Sequence, residues 1–304
     1  MRKEFSASVE KLTTQNKKTL FLTGDLGFAA LENVREALGE RFINAGVSEQ
    51  NMISMSAALA SEGMTVICYS IAPFAVFRPA EQIRLDVCLH NLDVKIVGNG
   101  GGYGYGIMGA SHHAIEDIAV LSPFQNMTCY VPFCNEDVPA MTEKMIKTYG
   151  PAYLRLGFGL LPEGIDLKPY APIRQLMRGS KVTIVGMGPV LLNAIEAVKS
   201  LSDESLADVF VVSEMPLKGL PPSLMESIRS TGKLLIIEEH VARGGLGENL
   251  ALLILENNLQ HSIEHLYAKG YDNGLYGSQG YHQRVNDLDV SAIIKSLKSL
   301  LNEK

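Results

Sequence analysis

The segment Phe42–Gly63, FINAGVSEQNMISMSAALASEG, places one carboxylate, Glu49, where a loop passes into a helix. From Ile53 to Ala60 the helix has little side-chain bulk (ISMSAALA), so it can pack closely against another backbone or another chain. A carboxylate at a helix start is commonly a first-turn or capping group that the helix dipole stabilises. The residues alone leave this structural role for Glu49 open beside a functional one.

Short β-rich runs alternate with helical patterns along the whole chain. We predict strands at 19–23, 65–69, 94–98, 127–131 and 152–156, and again at 181–185, 208–212 and 233–237. Apolar residues at helical spacing predict helices at 49–62, 80–90, 113–121 and 135–148, and again at 190–201, 221–230 and 246–257. This alternation indicates an α/β protein with two domains, each a mostly parallel sheet flanked by helices.

The break between the two domains is predicted at 157–175, GFGLLPEGIDLKPYAPIRQ, which is rich in glycine and proline and lacks clear periodicity. We therefore expect a first domain over 1–165 and a second, smaller one over 166–304.

Composition narrows the possible partners and the compartment. A net charge of −6 over 304 residues argues against a nucleic-acid or anionic-membrane surface, because either requires a concentrated positive field. The sequence has no stretch near the ~20 continuous apolar residues of a membrane helix, and its polar start lacks the core of a signal peptide. The four cysteines form no CxxC pair and suggest no zinc site. We expect a cytoplasmic protein with reduced thiols and no metal ligands of its own.

A glycine-rich loop, GNGGGYGYGIMG, spans 98–109, and its Gly104, Gly106 and Gly109 formally satisfy GxGxxG. A dinucleotide fingerprint should lie directly between a strand and a helix, with an acidic residue about 20 positions further on. Here the match begins well after the predicted strand, and position 129 is Cys129. A nucleotide-dependent oxidoreductase is therefore the weaker alternative. The loop follows the carboxyl end of a strand, where open α/β sheets bind ligands.

The motif GVSEQNM, followed by the small-residue helix and SEGMTVICYS, resembles the pyrimidine-binding domain of transketolases. It is also similar to deoxyxylulose phosphate synthases and to the β subunits of keto-acid dehydrogenases. In that superfamily the glutamate of this motif hydrogen-bonds N1′ of the aminopyrimidine of thiamine diphosphate. The resemblance implies this role for Glu49. A proton shared with N1′ allows the 4′ nitrogen to take the proton from thiazolium C2, which activates the cofactor.

Further motifs extend the resemblance to the rest of the cofactor site. PFAVF (Pro73–Phe77) resembles the segment whose aromatic rings pack on the aminopyrimidine, with Phe77 as the stacking ring and Phe74 beside it. Two phenylalanines after a strand could equally belong to the core. Asp25, in TGDLG, matches the acid at the end of the first strand near the cofactor, although an aspartate beside glycine is also common in turns.

The resemblance also implies substrate contacts. GASHHAIED (Gly109–Asp117) is similar to the family pattern GxTHQxxED, which places His112 at the catalytic histidine, a donor to the substrate oxygen. Arg155, in AYLRLG, matches an arginine that holds the anionic end of the substrate. EEHVARGGLGENL (Glu238–Leu250) resembles the signature of the family's C-terminal domain, for which we expect a structural role.

Two positions of the substrate site depart from the family. Met108 replaces an acid that contacts substrate hydroxyls, and Gly100 replaces a histidine that contacts sugar phosphate. Both changes remove polar substrate contacts and leave the cofactor residues intact. Ordinary phosphoketose exchange is therefore in question, whereas thiamine chemistry is not.

The family's diphosphate-binding motif, GDG…N, which holds Mg²⁺, is absent from the 304 residues. We therefore expect a separate N-terminal subunit that holds the diphosphate and Mg²⁺, an α2β2 assembly, and no activity of this chain alone. The predicted reaction is transfer of a two-carbon ketol, or a related acyl unit, from a ketose-type donor to an aldehyde acceptor. A deoxyxylulose phosphate synthase-like or keto-acid dehydrogenase β-like subunit is the alternative.

Overall fold

The computed structural model describes residues 1–14, 16–27, 30–201, 203, 205–271 and 276–302. The strands are β1 (Thr19–Thr23), β2 (Phe42–Asn44), β3 (Thr65–Ile71), β4 (Val94–Asn99), β5 (Thr128–Tyr130), β6 (Ala152–Leu156), β7 (Ile173–Met177), β8 (Val182–Met187), β9 (Ala207–Val212), β10 (Glu214–Met215), β11 (Lys233–Glu238) and β12 (Ser262–Leu266). The α-helices are α1 (Arg2–Thr13), α2 (Glu32–Leu38), α3 (Glu49–Ser61), α4 (Ala72–Val76), α5 (Ala80–Gln82), α6 (Asp117–Leu121), α7 (Val138–Lys147), α8 (Leu191–Ser200), α9 (Pro222–Thr231), α10 (Leu246–Glu256), α11 (Gln279–Val285) and α12 (Val290–Asn302).

The first sheet has seven strands in the order β10-β5-β6-β4-β3-β1-β2. Strands β1 to β6 are mutually parallel, and β10 pairs antiparallel with β5, with Glu214 opposite Tyr130. Every residue of β1, β4 and β6 is buried, as expected for a parallel sheet that is covered on both faces. The carboxyl ends of β1, β3 and β4 therefore meet at one edge of this sheet.

The second sheet has five strands in the order β12-β11-β8-β9-β7. Its strands are parallel except β7, which pairs antiparallel with β9. Helices α8 and α12 pack together beside it, and α9 and α10 contact β8 and β11. The described residues contain no helix with the length and apolar character needed to cross a bilayer.

The predicted fold class, two mostly parallel sheets flanked by helices, is confirmed. The predicted runs 19–23 and 152–156 coincide with β1 and β6. The structure adds β2, β7, β10 and β12, and helices α1, α2, α4, α11 and α12. These strands are short, or lie at sheet edges where few apolar residues mark them. The predicted helix 80–90 is present as a continuous helical segment, in which the short α5 leads directly into a π-helix over Ile83–Cys88.

Candidate active site

Glu49 is the first residue of α3, at the carboxyl edge of the first sheet. Its side chain is buried (4% exposed). Each of its two carboxylate oxygens lies 2.9 Å from Nη1 of Arg78, which donates to both. The N-terminal end of the helix also favours a negative charge at this position. A buried carboxylate thus faces one planar cation from its own chain.

Arg78 connects this carboxylate to an aromatic ring. Its guanidinium carbon lies 4.0 Å from the centroid of the Phe74 ring, a cation–π contact. The Arg78 side chain is 47% exposed, in contrast to Glu49. Sequence reasoning missed Arg78. The signal was present, because Arg78 follows Phe74 by four residues, and residues at this spacing lie on the same side of a helix.

His112 contacts the same ring. The centroids of Phe74 and His112 are 5.1 Å apart, with the rings inclined at 67°. A 3₁₀ turn over Ala110–His112 carries the imidazole, and its Nδ1 lies 3.0 Å from Oγ of Ser111. The contacts Glu49–Arg78–Phe74–His112 therefore bring three of the predicted site residues into one group.

Phe77 directly follows α4 and is 37% exposed. It is Phe74, however, that contacts both Arg78 and His112. The predicted stacking role of Phe77 stays a prediction, and the structure makes Phe74 an equal candidate.

Asp25 follows β1 in a left-handed conformation, with φ of 57°. Its backbone N–H donates to Oδ1 of Asn44 at 3.0 Å, and its Oδ1 accepts from Nδ2 of Asn44 at 2.8 Å. The same Asn44 oxygen accepts from Gly46 N–H at 3.0 Å. These bonds fix the loop that leads into Glu49, so the turn role of Asp25 is observed and a direct cofactor contact stays a prediction.

Gly100 and Met108 lie on the glycine-rich loop after β4. Gly100 has φ of +79°, and a Cβ there would lie 2.2 Å from Cδ2 of the Tyr105 ring. Tyr105 therefore occupies the space into which a side chain at position 100 would point. Gly100 and Tyr105 line a cavity of about 750 Å³ that Asn99 also borders. Met108 is 49% exposed.

Arg155 contacts a buried carboxylate and backbone carbonyls. Its Nε is 3.4 Å from Oδ2 of Asp117, and its Nη2 donates to the carbonyls of Ala114 at 3.1 Å and Glu239 at 2.7 Å. Only 7% of the side chain is exposed. These contacts connect the two parts of the chain, and the substrate contact that the resemblance implies for Arg155 stays a prediction.

The segment Glu238–Leu250 also has the structural contacts that we expected. The Glu238 carboxylate accepts from the backbone N–H groups of Leu246 and Gly247 and so caps α10. The Glu239 carboxylate accepts from Tyr103 N–H at 2.7 Å, which fixes the glycine-rich loop against the second sheet. Burial raises the pKa of Glu239.

Metal ligation by this chain has no support in the residues that the structure covers, among which no cluster of three or more His, Cys, Asp or Glu side chains could hold an ion.

Comparison with known proteins matches one family model to the part of the chain that forms most of the first sheet and another to the part that forms the second sheet. The family model described as transketolase, pyrimidine binding domain matches residues 1–163, and that described as transketolase, C-terminal domain matches residues 171–275. The chain is 28% identical over 265 residues to one of the subunits of the apulose-4-phosphate transketolase of Actinobacillus succinogenes, covering 86% of this chain and 85% of the relative.

Two further relatives differ in how much of their length is matched. A 1-deoxy-D-xylulose-5-phosphate synthase of Clostridium perfringens is 26% identical over 309 residues, and this chain spans about half of it (98% of this chain, 48% of the relative). A solved chain described as a split gene transketolase, inactive β4 tetramer, superposes with a TM-score of 0.85 at 30% identity, covering 99% of this chain and 97% of the other. The chain belongs to the transketolase family.

Proposed function

We propose that this chain is the cofactor-activating subunit of a transketolase-like thiamine diphosphate enzyme. The proposed reaction transfers a two-carbon ketol unit from a ketose-type donor to an aldehyde acceptor. Transketolases and deoxyxylulose phosphate synthases are thiamine diphosphate enzymes, and relatives of this chain bear both names. The observation that carries the proposal is the buried carboxylate of Glu49, which faces an N–H donor beside an aromatic ring.

The residues present fit an aminopyrimidine ring. Both oxygens of Glu49 already accept from a flat, cationic N–H group, and that group lies against the face of Phe74. A protonated aminopyrimidine offers the same two features, an N–H donor and a flat ring. When bound, the cofactor supplies an acidic thiazolium carbon that becomes the nucleophile.

Each side chain of the group has one proposed task. Glu49 holds a proton at N1′, and its burial keeps competing water away from that bond. Phe74 and Phe77 pack against the ring and orient it. His112, in edge contact with Phe74, donates a hydrogen bond to the substrate oxygen that gains charge during addition.

We further propose that the diphosphate and Mg²⁺ are held by an N-terminal partner subunit, in an α2β2 assembly. One relative is named as a subunit of a transketolase and another as a split gene transketolase, and both names support a separate partner chain. Exposed apolar side chains close in sequence to Glu49 and His112 support it too: Val47 is 72% exposed and Ile107 is 71% exposed. Exposed apolar groups around a polar site are typical of protein interfaces.

Calorimetric titration of thiamine diphosphate with Mg²⁺ tests this proposal. The titration is made into this chain alone and into the complex obtained by co-expression with a diphosphate-binding partner. We expect heat of binding only from the complex. Tight binding by the chain alone would contradict the division of the cofactor site between two subunits.

A deoxyxylulose phosphate synthase-like condensation is the second candidate, because that relative is matched by 98% of this chain. The donor substrate that the complex consumes distinguishes the two reactions. Consumption of pyruvate with release of CO₂ by the complex would favour the synthase-like reaction, and consumption of a ketose without CO₂ would favour ketol transfer.

A further inference from the structure

Arg78 lies where the proposed cofactor ring would have to lie. We infer that Arg78 is an internal occupant of the aminopyrimidine site, and that cofactor binding displaces it. In the chain alone, its guanidinium takes both the hydrogen bond of Glu49 and the aromatic face of Phe74. This inference rests on the proposed function and adds a competing ligand that the protein itself supplies.

The geometry of the guanidinium matches what the cofactor ring requires. It is planar and positively charged, and one of its nitrogens donates to both carboxylate oxygens of Glu49 at 2.9 Å. Its carbon lies 4.0 Å from the Phe74 centroid, within the range of a stacked contact. A flat ring with an N–H group, bonded to Glu49 and packed on Phe74, would overlap it.

The two partners differ in how easily they can move. Glu49 is 4% exposed and is fixed in the first turn of α3, whereas the Arg78 side chain is 47% exposed. The arginine can therefore rotate into solvent while the carboxylate stays. A buried carboxylate left without a donor is costly, so Arg78 leaves favourably only when another N–H replaces it. Cofactor binding therefore replaces the Arg78 donor with the N–H of the cofactor, while the Glu49 carboxylate stays in place.

Such an exchange weakens the apparent affinity for the cofactor. The apparent Kd equals the intrinsic Kd divided by the fraction of molecules whose site is free, as for any competing conformation. A half-exposed ion pair with a cation–π contact is a weak to moderate interaction, so we expect Arg78 to raise the cofactor Kd by about five- to tenfold. It also protects the buried carboxylate until the complete cofactor site forms.

The experiment measures the Kd of thiamine diphosphate with Mg²⁺ by calorimetry on the co-expressed complex. Arg78→Ala should bind about five- to tenfold more tightly than the unmodified complex, since the competing cation is gone. Arg78→Lys should fall between the two, because an ammonium pairs with Glu49 but is not planar. Arg84→Ala is the matched control, an exposed arginine of the same segment, and should leave the Kd unchanged.

A second measurement adds the guanidinium ion to the Arg78→Ala complex at a concentration too low to unfold it. If the empty site accepts a guanidinium, the ion should compete with the cofactor in this variant and not in the unmodified complex. The inference is overturned if the unmodified complex binds the cofactor and the Arg78→Ala complex binds it equally or more weakly. The proposed function would then still stand. If no form of the complex binds the cofactor, both fail.

Discussion

Arg155 and Asp117 form a buried ion pair, with Nε 3.4 Å from Oδ2 and exposed fractions of 7% and 0%. Asp117 Oδ2 also accepts from the Tyr153 hydroxyl at 2.7 Å. Removing one member of a buried pair leaves an uncompensated charge. We therefore expect Arg155→Met to lower the free energy of unfolding by about 3–5 kcal/mol, measured by urea unfolding.

The exposed Arg178→Met serves as the control for this prediction and should shift stability by less than about 0.5 kcal/mol. Arg155→Met with Asp117→Asn should regain part of the loss, because the carboxylate is no longer charged. A raised KM for a phosphorylated substrate with unchanged stability would instead support the substrate contact that the resemblance implies for Arg155.

His112 should affect turnover far more than cofactor binding. It contacts Phe74 at a steep angle, while the proposed function gives the hydrogen bond to N1′ to Glu49. We expect His112→Asn to lower kcat by about 10²–10⁴-fold, the usual range for a lost proton-transfer or hydrogen-bonding group, with the cofactor Kd unchanged. Kinetics on the complex checks the expected loss of kcat, and calorimetry on the same complex checks the unchanged cofactor Kd. Exposed His90→Asn should behave as the unmodified complex; a His112 variant with normal kcat would refute the assignment.

The loop that carries His112 should loosen at low pH. Burial lowers the pKa of the adjacent His113, whose Nε2 lies 3.3 Å from the Gly106 carbonyl oxygen. The His282 ring is 4.7 Å away, centroid to centroid. Unfolded histidine gains its proton near pH 6.5, above the pKa of folded His113, so the unfolded state binds protons first as the pH falls. The free energy of unfolding therefore begins to fall below about pH 6.5, and the loss is complete below the pKa of folded His113.

Thermal unfolding midpoints between about pH 8 and pH 5 measure this effect. His113→Gln should remove the His113 share of the pH dependence and leave the rest, which includes the share of His240, whose pKa burial also lowers. Exposed His90→Gln should leave the full dependence. Identical pH dependence with and without His113 would show that this residue is not its source.

The sequence predicted the fold well because the buried strands carry their own signal. In β1 and β6 every residue is buried, and their apolar runs predict the observed bounds. Strand β12 lies at a sheet edge and none of its residues is fully buried, so no apolar run marks it. The pairing of β10 with β5 depends on how the chain returns to the first sheet, which no local pattern contains.

The site was predicted less completely, for a related reason. The motifs singled out Glu49 and His112, whose functional roles stay predictions, but a motif does not tell which way a long side chain turns. Arg155 lies on β6 in the segment that resembles an anion site, and its guanidinium turns inward to Asp117 and to backbone carbonyls. Arg78 belongs to no motif that we used, and its contact with Glu49 joins two segments that lie 29 residues apart in the chain.

The central claim, that Glu49 activates a thiamine cofactor, is tested most directly by the exchange of the thiazolium C2 proton for deuterium in the complex, with Glu49→Gln as the variant. Glutamine keeps the shape of the side chain but cannot share a proton in the same way. We predict that exchange in the Glu49→Gln complex is slower by about 10²–10⁴-fold, with His112→Asn close to the unmodified rate. Exchange at the unmodified rate in a Glu49→Gln complex that binds the cofactor would contradict the claim.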